Sequence, residues 1–470
     1  MTSTDIATPQ QITLPIPAAI FRAYDIRGIV DEQLNATSVL QISRAIGSEA
    51  LAQGIDTLLV GCDGRLSSPE LSEAVIAGIL STGCNVINLG QVPTPLLYFA
   101  AHTTNCASGV MLTASHNPAN YNGLKIVFER MSLAAQQIQS LHTRILDKRI
   151  ARGSGRYSEI EIKTAYITDV CSRIKLQRRL KIVVDCGNAV AGDVAPELFT
   201  ALGCEVIPLF CDVDGNFPNH HPDPTVPTNL RSLAETVEAT GADLGIAFDG
   251  DADRLGIVTN HGEVVYADRI LMLLVQVIAP LYPGSAIVFD VKCSRGLPAL
   301  IAELGCVPVM QRSGHSFMKQ KMAESGAPLG GEFAAHIFIK DRWFGFDDGM
   351  YAAARIVEIL CDQTLPASSV FARFPQQPCT PEIKVSVPDE RKFAVMETLI
   401  GLANFPDAHL NTIDGLRVEF ADGWGLVRAS NTSPALLLRF EADSEHTLTA
   451  IQAKFKALLR EADKSIQLNF

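Results

Sequence analysis

The sequence predicts an α/β protein built from three repeated α/β domains with mixed or parallel sheets, followed by a smaller C-terminal α+β domain. At 470 residues the chain is too long for a single hydrophobic core. A strand–turn–helix pattern occurs three times before residue 362, and such alternation favours parallel sheets with right-handed crossovers. After a proline-rich stretch the pattern becomes that of an antiparallel sheet.

Each repeat begins with an apolar strand that ends in a polar turn. The three strands lie within 57–63, 181–187 and 286–292. The helix that follows ends each time at a Gly-Cys pair, where glycine suits a helix C-cap, and a second strand comes after the pair. The pairs are Gly83-Cys84, Gly203-Cys204 and Gly305-Cys306. Their equivalent positions favour true repeats over a generic α/β pattern.

A later apolar stretch in each repeat runs into a loop that is rich in functional side chains. The loops read TASHNP at 113–118, DGDADR at 249–254 and GGEFAAH at 330–336. Ligands of parallel sheets gather at the carboxyl ends of the strands. We therefore expect the three loops to be neighbours around one site.

The last part of the chain differs from the repeats. The proline-rich stretch from Asp362 to Pro381 is predicted to be a linker. Beyond it the pattern predicts an antiparallel sheet covered by two helices. The strands are expected within 382–387, 416–420, 424–427 and 436–440, and the helices within 390–403 and 446–462. The predicted domain bounds are 1–160, 161–263, 264–374 and 375–470.

Composition excludes several classes of protein. A formal net charge of −12 disfavours nucleic-acid binding, which needs clustered Lys and Arg. The chain has no signal-peptide hydrophobic region and no window of eighteen apolar residues, and its best candidate, 270–280, is predicted to be a buried helix. Eleven scattered cysteines without a C-x-x-C pair fit reduced thiols of a cytoplasmic protein. We expect no nucleic-acid and no membrane partner.

The loop DGDADR places three carboxylates, Asp249, Asp251 and Asp253, at alternate positions. Close carboxylates repel each other unless a cation holds them, and hard oxygen ligands suit magnesium or calcium. An EF-hand loop would need glycine and glutamate where this chain has Arg254 and Asn260, so that motif is excluded. The pattern favours a metal site, completed by oxygens of water or a phosphate, over a solvated acidic turn.

The loop RASNTSP, residues 428–434, sets Arg428 beside Ser430, Asn431 and Thr432. An arginine fork matches phosphate oxygens, and the neighbouring hydroxyl and amide groups would add hydrogen bonds. The same letters also describe an ordinary turn, and the local pattern leaves both interpretations open.

The loop GGEFAAH places Glu332 and His336 four residues apart behind two glycines. A carboxylate binds sugar hydroxyls, and a histidine moves protons near neutral pH. A surface glutamate and a structurally satisfied histidine are the alternative on local evidence.

Ser115 and His116 follow an apolar strand directly, which suggests a nucleophile and its base. Neighbours in an extended chain point to opposite sides, so we do not expect His116 to take the Ser115 proton. No G-x-S-x-G elbow, Walker loop or G-x-G-x-x-G occurs, so nothing supports a hydrolase elbow or a nucleotide cofactor. A serine that carries phosphate beside a metal site is the more economical interpretation.

These motifs resemble those of the α-D-phosphohexomutases, and specifically the bacterial phosphomannomutase/phosphoglucomutase group. The matching segments are FRAYDIRG at 21–28, TASHNP, DGDADR, GEFAAH and RASNTSP, in the family's order over nearly the whole chain. The resemblance implies four domains around a central cleft. It also implies an isomerase that moves phosphate between C6 and C1 of a hexose through phosphoserine and a 1,6-bisphosphate.

The resemblance further implies catalytic roles. Ser115 carries the phosphoryl group, and its phosphate joins Asp249, Asp251 and Asp253 as a ligand of Mg²⁺. Arg254 holds the transferring group, and Arg27 steadies the reorienting intermediate. Lys125 and His336 match positions suggested for general acid/base work, for which Lys125 would need a depressed pKa.

Further residues occupy the positions of the family's substrate contacts. They are Tyr24, Lys292, His315, Glu332, Phe333, Ala334, Arg428, Ser430, Asn431 and Thr432. The activator expected from the resemblance is glucose 1,6-bisphosphate or mannose 1,6-bisphosphate. The partner is a small hexose phosphate, and the chain is expected to be a monomer or a weak homo-oligomer.

Two loops depart from the group's usual pattern. The sugar loop commonly reads Gly-Glu-Met-Ser-Gly-His, where this chain has Phe333, Ala334 and Ala335. Ala334 lacks a hydroxyl, and one lost neutral hydrogen bond costs about 1 kcal/mol. The phosphate loop has Ser433 in place of a common glutamate. The alternatives are a phosphoglucosamine mutase, whose typical loop motifs this chain lacks, and a phosphosugar-binding protein with weak turnover.

Overall fold

The computed structural model describes residues 16–374, 376–430, 433–468 and 470, and these form four sheets with their own helices. The first unit, residues 16–159, has a sheet of order β1-β5-β4-β2-β3-β7 with β6 beside β5. Its strands are β1 Ile26–Ile29, β2 Thr57–Cys62, β3 Asn85–Gln91, β4 Gly109–Leu112, β5 Tyr121–Phe128, β6 Met131–Ser132 and β7 Tyr157–Glu159. Its helices are α1 Ala36–Ala52, α2 Ser68–Leu80, α3 Thr94–Thr103 and α4 Gln136–Leu146.

The second unit, residues 163–265, has the order β12-β11-β10-β8-β9, and the third unit, residues 267–371, has the order β14-β13-β15-β16. The second unit contains α5 Lys163–Arg173, β8 Lys181–Asp185, α6 Ala195–Ala201, β9 Glu205–Leu209, α7 Arg231–Thr240, β10 Leu244–Phe248, β11 Leu255–Thr259 and β12 Val264–Val265. The third contains α8 Ala267–Ile278, β13 Ala286–Asp290, α9 Gly296–Glu303, β14 Val307–Gln311, α10 His315–Ser325, β15 Leu329–Gly331, β16 Ile337–Ile339, α11 Gly349–Cys361 and α12 Ala367–Phe371.

The fourth unit, residues 383–462, is an antiparallel sheet of order β17-β21-β20-β19-β18 with two helices. Its elements are β17 Ile383–Ser386, α13 Asp389–Leu402, β18 His409–Asn411, β19 Leu416–Phe420, β20 Gly423–Ala429, β21 Ala435–Ala442 and α14 Glu445–Ala462. Four of these strands and both helices were predicted, whereas the three-residue β18 was not.

The first three sheets repeat one arrangement, which confirms the predicted fold class. In each, a central strand has a parallel neighbour on either side, and an antiparallel strand follows the second neighbour. The central strands are β2, β8 and β13. The glycines of the three Gly-Cys pairs have φ of 97°, 101° and 79°, which is the left-handed conformation of a helix C-cap. The site loops TASHNP, DGDADR and GGEFAAH occupy the same turn of each repeat, before the antiparallel strand.

The predicted linker, residues 362–381, is wrong in its middle. There α12 is buried, with Val370 and Phe371 each 1% exposed, because its apolar side chains join the large core of the first three units. That core runs continuously from the first unit to the third, whereas the fourth unit has its own core. Within the described residues, no helix combines the length and apolar character needed to cross a membrane.

Candidate active site

The four sequence loops meet in one cleft of about 310 Å³. Of the residues predicted from sequence, those that line it are Tyr24, Arg27, Ser115, Lys125, Arg254, Lys292, His315, Glu332, Phe333, Ala334, His336, Arg428 and Ser430. The three aspartates of DGDADR lie behind this surface, each 0% exposed. Asn431 and Thr432 lie outside the described residues.

Backbone hydrogen bonds join the loops of the first three units. The Leu255 N–H donates to Ala335 O at 3.2 Å, and the Thr94 N–H donates to Asp251 O at 2.9 Å. Gly250 packs so closely that a Cβ there would lie 2.2 Å from Ser115 O, which only glycine avoids. The carbonyl of Ser115 and the aspartate loop are therefore held against each other by the fold itself.

Ser115 lies in the loop three residues after the end of β4, with its hydroxyl directed at the aspartates. Its Oγ donates to Asp249 Oδ2 at 2.7 Å, and the residue is 2% exposed. Burial raises the pKa of Asp249 well above its ordinary value, and the charges of Asp253 and Asp251 raise it further. The hydroxyl thus borders the carboxylate cluster, and Arg254 Nε lies 3.9 Å from the same oxygen of Asp249.

The expectation that His116 points away from Ser115 is wrong. His116 Nδ1 lies 3.2 Å from Ser115 Oγ, because Ser115 has φ of +50° and the chain is not extended there. Burial holds the pKa of His116 well below its ordinary value, and the cations Arg254 and Arg27 lower it further. The Ser115 hydroxyl nevertheless donates its proton to Asp249. The hydrogen bonds therefore do not show His116 acting as the base that activates Ser115.

Lys125, on β5, balances the charge of the aspartates. Its Nζ donates to Asp251 Oδ2 at 2.6 Å and to Asp253 Oδ2 at 2.5 Å. Burial alone would lower the pKa of Lys125, but these two carboxylates outweigh burial and hold the pKa well above its ordinary value. That direction is the opposite of the shift a general base requires, so in this arrangement Lys125 is a fixed cation.

His336 lies between an arginine and two carboxylates. Arg254 Nε donates to His336 Nε2 at 3.1 Å, while His336 Nδ1 lies 3.3 Å from Asp347 Oδ2 and 3.4 Å from Asp253 Oδ1. Lys319 Nζ donates to the other oxygen of Asp347 at 2.9 Å. The imidazole therefore bridges the second and third units, and its Nδ1 faces negative charge.

His315 begins α10 beside this group. Its Nδ1 lies 3.4 Å from Asp347 Oδ2, and its ring meets that of Tyr24 edge-on at 4.9 Å. Burial lowers the pKa of His315 well below its ordinary value, and the neighbouring Lys319 lowers it further. His315 is thus a neutral contact at the cleft wall.

The loop GGEFAAH presents one carboxylate oxygen that has no partner among the described residues. Glu332 Oε1 accepts from the Gly314 N–H at 2.6 Å, whereas Oε2 has no hydrogen-bond partner within the described part of the chain. The ring of Phe333 packs 3.5 Å from the guanidinium carbon of Arg439 and stacks on Tyr266 at 5.8 Å. Phe333 therefore anchors the loop to its neighbours while it lines the cleft.

Two hydrogen-bonding side chains, Arg428 and Lys392, fix the phosphate-loop segment of the fourth unit that includes Ser430 and Ser433. Arg428 Nε donates to Asp414 Oδ2 at 2.8 Å, and its Nη2 is buried with no partner among the described residues. Lys392, on α13, donates to Ser430 O at 2.6 Å and to Ser433 O at 3.1 Å. Among the described residues, this buried nitrogen of Arg428 is therefore left without a hydrogen-bond partner beside the cleft.

Six cationic side chains line the cleft of a chain whose net charge is −12. Arg27, Lys125 and Arg254 lie near Ser115, and Lys292, Lys384 and Arg428 lie on the third and fourth units. Such a concentration of positive charge attracts anionic ligands despite the acidic protein. The cleft is suited to a ligand with negative charge at both ends.

Sequence reasoning missed Asp347, which contacts His336 and Lys319 and is 0% exposed. Its signal was the Asp347-Asp348 pair before α11, which reads as a helix start, and Asp348 does cap that helix by accepting from the Tyr351 N–H. The neighbour that faces the site could be recognised only once β16 and α10 were placed beside it.

Comparison with known proteins gives one family for the whole chain. Consecutive segments match the phosphoglucomutase/phosphomannomutase α/β/α domains I, II and III at residues 18–150, 164–262 and 266–377, and the C-terminal domain at 382–458. The chain is 52% identical to a phosphomannomutase/phosphoglucomutase of Pseudomonas putida over 97% of this chain and 98% of that one. It is 47% identical to a phosphoglucomutase of Neisseria gonorrhoeae, over 94% and 96%. The crystal structure of a phosphoglucomutase/phosphomannomutase family protein from Burkholderia thailandensis superimposes with a TM-score of 0.92 at 45% identity, over 97% of this chain and 100% of that chain.

Proposed function

This chain belongs to the phosphoglucomutase/phosphomannomutase family, and we propose that it transfers phosphate between C6 and C1 of mannose and glucose phosphates through a phosphorylated Ser115. It is an isomerase that acts on hexose phosphates. The observation that carries the proposed mechanism is the 2.7 Å hydrogen bond from Ser115 Oγ to Asp249, which sets the hydroxyl at the edge of the aspartate cluster and in the cleft.

The aspartate cluster fits a magnesium ion. One carboxylate oxygen from each aspartate lies within 4.8 Å of those from the other two, and Asp251 Oδ1 and Asp253 Oδ1 have no hydrogen-bond partner among the described residues. Asp249, Asp251, Asp253 and an oxygen of phosphorylated Ser115 would hold the ion, since hard oxygens suit Mg²⁺. When bound, magnesium polarises the phosphoryl group and offsets its negative charge.

The side chains around Ser115 supply positioning and charge, which dominate phosphoryl transfer. Arg254 and Lys125 hold the oxygens of the transferring group. The sugar hydroxyl that accepts the phosphoryl group gives its proton to His336 Nε2. For this to happen, Arg254 must release its hydrogen bond to that nitrogen. The phosphoryl group leaves Ser115 Oγ and bonds to that hydroxyl oxygen, which gives a 1,6-bisphosphate.

The far end of the cleft holds the phosphate that is not transferred. Arg428 Nη2, Ser430, Asn431 and Thr432 bind it, with Lys292 beside them, and Glu332 Oε2 accepts from sugar hydroxyls. Cations at both ends allow the bisphosphate to turn around, with Arg27, Tyr24 and His315 along the wall, and to return its other phosphoryl group to Ser115. Glucose 1,6-bisphosphate or mannose 1,6-bisphosphate restores a serine that has lost its phosphate.

Intact-protein mass spectrometry after mild purification tests the mechanism. We expect one phosphoryl group on Ser115, lost to excess hexose phosphate and regained from the bisphosphate. Ser115→Ala should abolish turnover, whereas Ser172→Ala, an exposed serine on α5, should not. A wild-type protein that never carries or exchanges phosphate, with Mg²⁺ and bisphosphate supplied, contradicts the proposal and favours a phosphosugar-binding protein.

Sugar preference separates the remaining candidate, a phosphoglucosamine mutase. The kcat/KM values for mannose, glucose and glucosamine 6-phosphates compare the three sugars directly, and we expect the glucosamine value to be the lowest.

We also propose that the four functional domains span residues 1–160, 161–263, 264–374 and 375–470. We propose that the protein acts in the cytoplasm as a monomer or weak homo-oligomer. All eleven cysteines, which lie in the described part of the chain, are free thiols, as a reducing compartment allows.

A further inference from the structure

The loop that carries Ser115 is held by a buried ion pair that does not line the cleft. We propose that Asp63 and Arg65, which follow β2, are positioning residues that fix the backbone of Ser115 for phosphoryl transfer. They are 1% and 2% exposed, and Arg65 Nε donates to Asp63 Oδ2 at 3.1 Å. The inference rests on the proposed role of Ser115 as the phosphoryl carrier.

The guanidinium of Arg65 donates hydrogen bonds to four backbone carbonyls of the loop that carries Ser115. Its Nη2 donates to Ser115 O and Asn117 O, each at 2.7 Å. Its Nη1 donates to Pro118 O at 2.6 Å and to Tyr121 O at 3.0 Å. With the bond to Asp63, these contacts match the five N–H donors that an arginine offers.

Asp63 holds the other side of the same residue. Its Oδ2 accepts from Thr113 Oγ1 at 2.7 Å, and Thr113 Oγ1 accepts from the Ser115 N–H at 2.9 Å. Its Oδ1 accepts from the Arg65 N–H at 3.1 Å and from Ser68 Oγ at 2.7 Å. A closed ring of hydrogen bonds therefore ties both the N–H and the C=O of Ser115 to one ion pair.

Ser115 needs this support because of its backbone conformation. Its φ of +50° is in the left-handed region, which a non-glycine residue adopts only where the surroundings enforce it. That conformation brings Oγ within 2.7 Å of Asp249 Oδ2. If the ring is broken, the loop relaxes and the hydroxyl moves away from the aspartates.

Only arginine suits this position. Its planar fork reaches two pairs of carbonyls at once, whereas the single nitrogen of lysine reaches one pair and keeps the charge. Arg65→Lys therefore removes the geometry without removing the cation. We expect kcat to fall about 100-fold, the scale reported for displacement of a reacting group by about 1 Å.

KM separates positioning from general damage. The proposed sugar and distal-phosphate contacts lie on the third and fourth units, so we expect the hexose phosphate KM of Arg65→Lys to change less than about threefold. The rate at which hexose phosphate removes the phosphoryl group from Ser115, followed by intact mass, should fall with kcat. Thr113→Val, which breaks the ring at one hydroxyl, should give a smaller loss of the same kind and serves if Arg65→Lys fails to fold.

Arg355→Lys is the matched control. Arg355 is 1% exposed, pairs with Asp341 and donates to Asp341 O, on α11 away from the cleft lining. It should lower the unfolding temperature without lowering kcat. An unchanged kcat in Arg65→Lys, an equal loss in Arg355→Lys, or a loss carried by KM overturns the inference. A wild type without phosphate on Ser115 instead overturns the carrier role and the inference with it.

Discussion

The Nζ atom of Lys125, a residue that lines the cleft, lies 2.5 Å from Asp253 Oδ2. Lys125 comes from the first unit and Asp253 from the second, so this ion pair joins two units at the point where a metal would bind. Burial leaves the pair little solvent, with 4% and 0% of the side chains exposed. A metal bound at this cluster would therefore compete with Lys125 for the same carboxylates.

Lys125→Met should destabilise the metal-free protein and increase the stabilisation that Mg²⁺ gives. Removal of one partner of a buried ion pair costs about 3–5 kcal/mol, and the aspartates would then depend on the metal for positive charge. Unfolding temperatures measured with EDTA and with Mg²⁺ check this prediction. Relative to wild type, the temperature in EDTA should fall, and the difference between the two temperatures should grow. Lys319→Met, which removes a buried lysine from Asp347 instead, should lower both temperatures equally. An unchanged Mg²⁺ effect in Lys125→Met would show that the cation does not compete with the metal.

Asp347→Asn should lower kcat about 100-fold with little change in KM, at the lower end of the scale of general acid/base catalysis. The substitution keeps the shape of the side chain but removes its negative charge. That charge lies on a carboxylate that faces His336 Nδ1 at 3.3 Å and accepts a hydrogen bond from Lys319. Steady-state kinetics check the prediction. Asp348→Asn is the neighbouring control, because that carboxylate faces Tyr166 and Trp343 and should affect stability alone. Equal kcat values for wild type and Asp347→Asn would remove Asp347 from the mechanism.

Ala334→Ser should strengthen substrate binding. Ala334 lines the cleft beside Glu332 and offers no hydroxyl, and a restored neutral hydrogen bond is worth about 1 kcal/mol, or about fivefold in KM. Measurement of KM for glucose and mannose 6-phosphates shows which sugar benefits. Ala334→Gly alters size without adding a donor and should give no gain. If KM is unchanged or higher in the serine variant, the sugar does not reach this position.

The fold followed from local patterns in the sequence. The three Gly-Cys pairs predicted the repeated helix ends. The polar loops after β4, β10 and β15 predicted the shared site. Both predictions were possible because each pattern consists of residues that are consecutive in the sequence. The stretch 362–381 was misjudged since its prolines hid the buried side chains of α12.

The sequence pattern could not predict contacts between residues that are distant in sequence, or contacts that depend on an unusual backbone conformation. Arg65 lies fifty positions from Ser115, and nothing beside it predicts that its fork ends on four carbonyls. His116 was misplaced because the expectation assumed an extended chain, whereas Ser115 has φ of +50°. The raised pKa of Lys125 likewise depends on carboxylates from another unit.

The pair of His220 and Asp185 should make stability depend on pH. His220 Nε2 lies 3.0 Å from Asp185 Oδ2 and 3.1 Å from Oδ1. Burial alone would lower the pKa of His220, but the hydrogen bond and charge of Asp185 outweigh it and raise the pKa above its ordinary value. A histidine whose folded pKa is raised stabilises the fold fully below its unfolded pKa of about 6.5, and this contribution is lost as pH rises through the folded value.

His220→Gln should therefore lower the unfolding temperature most at about pH 6 and progressively less towards about pH 9. Part of the gap should persist at high pH, because neutral histidine still donates one hydrogen bond to Asp185. His261→Gln, at an exposed turn between β11 and β12, is the control and should change the unfolding temperature little. Thermal unfolding across this range checks the sign. A His220→Gln gap that is constant, or that widens as pH rises, would mean that Asp185 does not hold His220 in its charged form.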